Sequence, residues 1–444
     1  MPQSPVPPAG SDPGLRRRVV ISSLLGTAIE YYDFLLYGLM TALVFHRVFF
    51  PDGNPAVSTV AAFGTLAAGY VARPVGGIIF GHYGDQIGRK TMLVITMTLM
   101  GGASFLIGLL PTYDTVGFAA PVMLVLLRVV QGVAIGGEWG GAALMVTEHA
   151  ERGRRGLWNG VMHMGSPIGS LLATTAVTVV AWLPEDELLA WGWRIPFLLS
   201  AVLLIAGLYI RIGITESPVF QQASGEAPAA QRIPLVEVLR KPRDLLLACA
   251  VGIGPFALTG IVSSYNIVYA TNIGYAASDA VTGHFFASIT SLLAIPFFSA
   301  LSDRLGRRTV ILGGAVALIA YSVPFFALID SVSVPRLFLA LVIAQVIQAA
   351  MYAPLGALLS EMFGTTVRYT GASMGYQLSS LIGAGFTPLI ASAVVGENVR
   401  SGPLVILIVC ATAVTLVAMW LISETRGKDL NEVATRPKTV PATD

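Results

Sequence analysis

Two carboxylates, Glu30 and Asp33, stand inside the otherwise apolar stretch GTAIEYYDFLLYG at residues 26–38. A charge at the centre of a bilayer costs roughly 2.5 to 3.5 kcal/mol on insertion scales, so a chain keeps one where it is paired, wetted or used. Further along, the run RVVQGVAIGGEWGGA carries Arg128, Gln131 and Glu138 in a similarly apolar setting. An aspartate beside an arginine holds its charge, whereas a buried aspartate without a partner binds a proton. A site that alternates between the two conditions takes up and releases protons near neutral pH. Asp33 and Arg128 are the leading candidates for such a pair, with Glu30 and Glu138 as further protonatable groups. The alternative reading is a static buried salt bridge that fixes helix packing. Arg73, followed by Pro74, could neutralise either acid or snorkel towards the membrane surface.

These groups need membrane helices to position them. The 444 residues are 55% hydrophobic and 12% charged, about half the charge of an ordinary soluble domain. The mean hydropathy is +0.73, as expected of a multi-pass membrane protein. Apolar runs long enough to cross about 30 Å of hydrocarbon fall near 19–45, 57–81, 91–111, 121–148, 157–181 and 194–213, then near 244–271, 280–301, 309–330, 335–360, 370–396 and 402–423. The fold class expected is an all-α polytopic protein of twelve transmembrane helices in two six-helix halves, residues 19–213 and 244–424. Residues 214–243 are a polar connector, and 1–18 and 425–444 are tails, the first Pro-rich and expected to be disordered. Of 27 Lys and Arg, 21 fall in the tails, the connector and alternate loops on one side. By the positive-inside rule both termini and the connector are cytoplasmic.

Within this frame Glu30, Asp33 and Tyr37 share one broad helix face and Asp33 lies near the midplane. Spans 7 to 12 hold no ionisable acid or base at mid-depth. They offer instead Tyr265, Asn266, Gln345, Gln348, Tyr352, Tyr376 and Gln377 as neutral hydrogen-bonding candidates for a substrate path, alongside Tyr37, Arg128, Gln131 and Trp139 of the first half. His163 is the one histidine near the membrane interior. Cys249 and Cys410 lie far apart in apolar runs and read as small core residues, so no disulfide, metal site or cofactor is expected. There is no basic stripe for nucleic acid and no GxxxxGK[ST] phosphate loop.

The chain repeats itself. GHYGDQIGRK at 81–90 recurs as SALSDRLGRR at 299–308, with Asp85 and Asp303 218 residues apart. Glu148 and Arg155 recur 213 residues later as Glu361 and Arg368. Two matches at nearly one spacing indicate a duplicated six-helix unit. Asp85 can meet a helix N-terminus, and Arg89 and Lys90, facing the cytoplasm, can pair with carboxylates such as Glu148. Gln86 stands where the second copy has Arg304, so the first copy is expected to lack one ion pair.

Twelve spans, duplicated halves and the Asp-x-x-Gly-Arg-Lys/Arg loop in both halves resemble the major facilitator superfamily of secondary transporters, whose halves enclose a midplane site. The stretches VARPVGGIIFGHYGDQIGRK, RVVQGVAIGGEWGGAALMVTEHAERGRRG and WGWRIPFLLS are similar, more narrowly, to the metabolite:proton symporter family, including its shikimate-transporting members. The resemblance implies proton-coupled import of a small organic acid or zwitterion by a monomer in a bacterial inner membrane. It also implies a cytoplasmic latch made of Asp85, Gly88 and Arg89 with Asp303, Gly306 and Arg307, to which Glu148, Arg155, Glu361 and Arg368 belong by the repeat. Proton-coupled sugar transporters of the superfamily use an Asp on span 1 and an Arg on span 4, which supports Asp33 with Arg128. Efflux of amphipathic compounds by proton antiport fits the architecture less well, given the wealth of intramembrane charge. An enzyme would need a clustered metal or nucleophile set, and a membrane sensor would need a folded signalling domain.

Overall fold

The computed structural model describes residues 13–51, 55–217, 234–395, 400–428 and 430. They form helices without strands. Twelve helical stretches run α1 (Pro13–Val48), α2 (Pro55–Gln86), α3 (Arg89–Leu109), α4 (Ala119–His149), α5 (Arg155–His163, then Gly165–Val180), α6 (Arg194–Ile212), α7 (Pro242–Asn272), α8 (Ala277–Leu305), α9 (Arg307–Asp330), α10 (Val334–Met362), α11 (Arg368–Val395) and α12 (Gly402–Leu421). Ten of them are long and apolar enough as single runs to cross a bilayer. The fifth reaches that length only across its break at Met164, where the two pieces of α5 meet.

The helices assemble as two bundles. Within the first, α2 and α3 pack on α4, α1 on α5, and α6 on α3; within the second, α8 and α9 pack on α10, and α11 and α12 on α7. The bundles meet where α2 lies against α11 and, in the mirror position, α8 lies against α5. This is the contact pattern of two related units facing each other about a pseudo-twofold axis.

Several boundaries differ from those read in the sequence. Residues 13–18 of the expected N-terminal tail are the first turns of α1, where Arg16 pairs with Glu151 at 2.5 Å and lies over the Trp158 ring; residues 1–12 lie outside the described residues. The repeated loops are mostly helix, so Asp85 and Asp303 sit in the last turns of α2 and α8. The turns proper are centred on Gly88 (φ 123°) and Gly306 (φ 100°), a left-handed conformation that an L side chain adopts only with strain. The described ends of the connector add a short helix, Pro234–Leu239, that the sequence reading did not anticipate. Cys249 is buried as expected of a core residue, but Cys410 is exposed on the outside of the bundle.

The crossing of α2 and α4 sets the geometry of the interior. A Cβ on Gly136 would fall 2.1 Å from the Arg73 carbonyl, and one on Gly76 would fall 1.8 Å from the Val133 carbonyl. Only glycine permits that approach. It holds Arg73 and Arg128, from two different helices, beside the α1 stretch that carries the two acids, both over the Phe34 ring.

Candidate functional site

The acids of α1 occupy different environments. Asp33 is buried, and its Oδ2 accepts the Ser104 hydroxyl of α3 at 2.5 Å. Ser104 in turn accepts the Gln131 amide at 2.6 Å, and the Gln131 carbonyl oxygen accepts Arg128 Nη1 at 3.1 Å. Asp33 and Arg128 therefore communicate through a two-residue relay and do not form the direct ion pair that their depth allowed. Arg128 is packed against the faces of Tyr37 at 4.2 Å and Phe34 at 5.7 Å, and the Tyr37 hydroxyl bonds Thr65 at 2.5 Å. Asp33 Oδ1 has no hydrogen-bond partner among the described residues. A proton has a place to go on that oxygen.

Glu138 is in a different situation. Its Oε1 accepts Arg211 Nη1 of α6 at 2.6 Å and its Oε2 accepts the Thr96 hydroxyl at 2.6 Å. Arg211 also donates to the Ser22 and Leu93 carbonyls, so α1, α3, α4 and α6 are tied at one buried point. Arg211, at the end of α6, was not singled out from the sequence. It is buried, and it commits Glu138 to packing within the first half.

Glu30 faces a narrow cavity at the junction of the two halves. Tyr31, Phe34, Tyr70 and Arg73 line it from the first half, and Phe256, Thr259, Tyr376 and Ser380 from the second. Of these, Glu30, Arg73 and Tyr376 were singled out from the sequence. Beneath it lies a ring stack: Trp139 on Tyr376 with centroids 3.5 Å apart, His163 on Tyr352 at 4.7 Å, and Phe256 edge-on to Tyr376 at 4.9 Å. The hydroxyls of Tyr31, Tyr352 and Tyr376 join in a chain at 3.3 and 3.1 Å. Gln377 donates to the Ile135 and Gly136 carbonyls of α4 and so seals the halves beside the stack. Gln348 bonds Thr259 and Gln345, which brings both near the cavity wall. Tyr265 belongs instead to the apolar core of the second half, and Asn266 follows it, buried and outside the cavity lining. The π-turn Ile261–Tyr265 inserts one residue into α7 and rotates everything after it.

On the face carrying the repeated loops the two copies build one symmetric lock. Asp85 caps the start of α11, accepting the Tyr369 and Thr370 amides at 3.1 and 3.0 Å; Asp303 caps the start of α5, accepting the Gly156 and Leu157 amides at 2.9 and 2.7 Å. Each aspartate thus reaches from one half to the positive end of a helix in the other. Glu148 pairs with Arg89 of its own half at 3.7 Å and Arg368 of the other at 3.1 Å. Glu361 pairs with Arg307 at 3.5 Å and, across the halves, with Arg155 at 3.8 Å. Arg89 is fully buried, contrary to the solvent-facing position expected for it. Arg304 forms no ion pair among the described residues, so the Gln86 substitution does not make the copies unequal in the way anticipated.

Four members of this lock escaped the sequence reading. Glu216 accepts the Arg89 and Lys90 amides while Ser217 donates to Glu148; Glu424 accepts the Arg307 and Arg308 amides while Thr425 donates to Glu361 at 2.8 Å. The signal was present as ITES at 214–217 and ISET at 422–425. The expected C-terminal tail also takes part: the Lys428 carbonyl accepts Arg155 at 2.8 Å and the Leu430 carbonyl accepts Arg368 at 2.8 Å. Residues 429 and 431–444 of that tail lie outside the described residues.

The two facing bundles enclose a small cavity and meet through paired contacts on one face, and comparison with known proteins decides the family. Residues 19–235 match the model described as Sugar (and other) transporter, and 276–444 match Major Facilitator Superfamily. The chain is 41% identical to the shikimate transporter of Escherichia coli K12 over 85% of its own length and 88% of the relative's. The chain belongs to the major facilitator superfamily. It is a multi-pass membrane transporter and not an enzyme. It is also 37% identical to the inner membrane metabolite transport protein YhjE of the same organism, covering 94% and 96% of the two chains. To its proline/betaine transporter the identity is 33%, with 96% and 85% covered. Among solved structures, the proton:xylose symporter XylE bound to 6-bromo-6-deoxy-D-glucose superposes with a TM-score of 0.78 at 15% identity, covering 94% of this chain and 98% of that one. The shared fold is that of the superfamily.

Proposed function

We propose that this transporter is a proton-coupled symporter that imports a small organic acid or zwitterion by alternating access, with Asp33 as the proton-accepting group and Arg128 as its relayed counter-charge. The observation that carries the reading is the buried chain Asp33–Ser104–Gln131–Arg128, which leaves one carboxylate oxygen free of any described partner. Protonation of Asp33 weakens the attraction along that chain, loosening α1 against α3 and α4 next to the cavity. Loss of the proton restores it. The relatives named as shikimate and proline/betaine transporters support a small carboxylate-bearing cargo. The distribution of Lys and Arg supports cytoplasmic termini, which makes the lock face the cytoplasmic face of an inner membrane. The lock of Asp85, Arg89, Glu148 and Arg368 with Asp303, Arg307, Glu361 and Arg155 then acts as the inner gate. The carrier works as a monomer, since both halves of the path come from one chain.

The test is uptake by the purified protein in vesicles of a labelled panel including shikimate, proline and betaine, with and without an imposed pH gradient. Gradient-dependent accumulation of one member is the expected result. Failure of every member to move, or uptake indifferent to the gradient, refutes the reading.

A further inference from the structure

Three arginines lie deep in the first half, and two of them are engaged. Arg211 is held by Glu138, and Arg128 by Gln131. Arg73 is 6% exposed and has no hydrogen bond or ion pair with any described residue. It stands 13 residues before Gln86 at the end of α2, about 20 Å along the helix at 1.5 Å per residue, farther than a side chain can snorkel. Its guanidinium lies over the Tyr70 ring at 4.4 Å and the Phe34 ring at 5.1 Å. Rings that hold the flat faces leave the donor edges free, and an edge is what a carboxylate engages with two parallel hydrogen bonds. Arg73 lines the cavity between the halves together with Glu30, whose Oε2 likewise has no described partner. The α2–α4 glycine crossing pins the Arg73 backbone, so the side chain is presented from a rigid base.

We propose that Arg73 anchors the carboxylate of the transported molecule and that Glu30 reads the polar group at its other end, a hydroxyl or a cationic centre. This rests on the symport reading above and names its substrate class. A molecule with one carboxylate satisfies both groups. A dicarboxylate brings its second charge against Glu30 and is disfavoured. Thr259 and Ser380 supply hydroxyls from the second half, and Tyr376 closes the wall. The cavity measures only about 30 Å³, so cargo enters when the halves part and is clasped when they return.

The test is ligand-dependent thermal stabilisation of the purified full-length chain, titrated with shikimate, betaine and shikimate methyl ester, which masks the carboxylate. The wild type is expected to bind the free acid at least about tenfold more tightly than the ester, and Arg73→Gln to bring the two within about twofold while melting normally without ligand. Arg73→Lys, keeping the charge but not the two-pronged geometry, is expected to retain part of the preference. A wild type that does not distinguish acid from ester overturns the anchor without any variant being needed, and so does R73Q that keeps the preference. In either case gradient-driven uptake by the wild type leaves the symport reading standing. If no panel member binds or moves, both readings fall together.

Discussion

Replacing Glu148 with glutamine separates the contact that closes one face from those that fold a single half. The Glu148 side chain is fully buried and meets Arg368 of the other half at 3.1 Å and Arg89 of its own half at 3.7 Å. When the halves part, the Arg89 contact travels intact with the first half and cancels from the equilibrium. Only the Arg368 contact is lost. A hydrogen bond between charged groups is worth about 1.5 to 3 kcal/mol net and a neutral one about 1. Glu148→Gln therefore costs the closed state about 0.5 to 2 kcal/mol, and 1.4 kcal/mol is tenfold in an equilibrium. The open state loses little, because there Arg368 is hydrated. With Cys249 and Cys410 replaced by serine, Ser373→Cys reports opening, since this buried residue packs against Gly140 across the halves. Labelling by an impermeant maleimide added on the lock side is expected to speed up roughly tenfold in E148Q. Glu361→Gln, whose cross-half contact to Arg155 is longer at 3.8 Å, is expected to speed it by less. Labelling within twofold of the parent, with an unchanged melting temperature, would falsify the assignment of Glu148–Arg368 as a closing contact.

Other contacts carry their own expectations. Asp33→Asn is expected to abolish gradient-driven accumulation while counterflow exchange of the same cargo continues; accumulation at wild-type levels would reduce Asp33 to a packing role. Glu138→Gln leaves the buried Arg211 charge short of its partner at a cost of about 3 to 5 kcal/mol, read as a sharp loss of monodisperse protein, whereas replacing both with leucine is expected to recover most of it. Gly136→Val cannot keep the α2–α4 crossing and is expected to prevent folding, while Gly102→Ala, which meets nothing within 4 Å, serves as the tolerated control in the same size-exclusion assay. Ending the chain after Gly427 removes the Lys428 and Leu430 carbonyls from Arg155 and Arg368, and the Ser373→Cys labelling rate is expected to rise.

How legible each part was depends on whether its signal is local. The number of spans and the lock were readable because length, hydropathy and an exact spacing of 213 or 218 residues survive in one dimension. Glu216 and Glu424 carry a related signal in the ITES and ISET tetrapeptides, but at a spacing of 208 residues that falls outside the 213 and 218 of the other matches. Arg211 was missed for a different reason: at a helix end, a buried arginine and a topology-setting one have the same sequence context. The cavity wall was least legible. Tyr31 and Phe34 flank Glu30 and Asp33 in the very stretch that drew notice, but the rotation of α1 that presents them is set by its neighbours. Tyr265 and Asn266 show the converse error, since their polarity was visible and the π-turn that turns them away from the path was not.

The lock is symmetric and the cavity is not, and the difference bears on how rocking can be cheap. The aspartate caps and the cross-half ion pairs on the lock face come in mates related by the repeat, so parting the halves breaks the two sets together and neither half must deform first. Asp33, Arg128, Glu30 and Arg73 all belong to the first half, where α1, α2 and α4 hold them fixed relative to one another. Within the cavity, then, rocking moves no buried charge away from its counter-charge, a separation that would cost several kcal/mol in a medium of low dielectric; the cross-half ion pairs of the lock are the ones it breaks. On the proposed symport reading, the second half slides over the cargo as a neutral surface of hydroxyls and rings. On this division of labour, moving a carboxylate from the first half to the facing helix, as in Glu30→Gln combined with Ser380→Glu, preserves the total charge of the cavity but makes every rocking step separate an acid from Arg73. Such a variant is expected to bind cargo and fail to turn over, and wild-type transport by it would show that the placement of charge in one half is incidental.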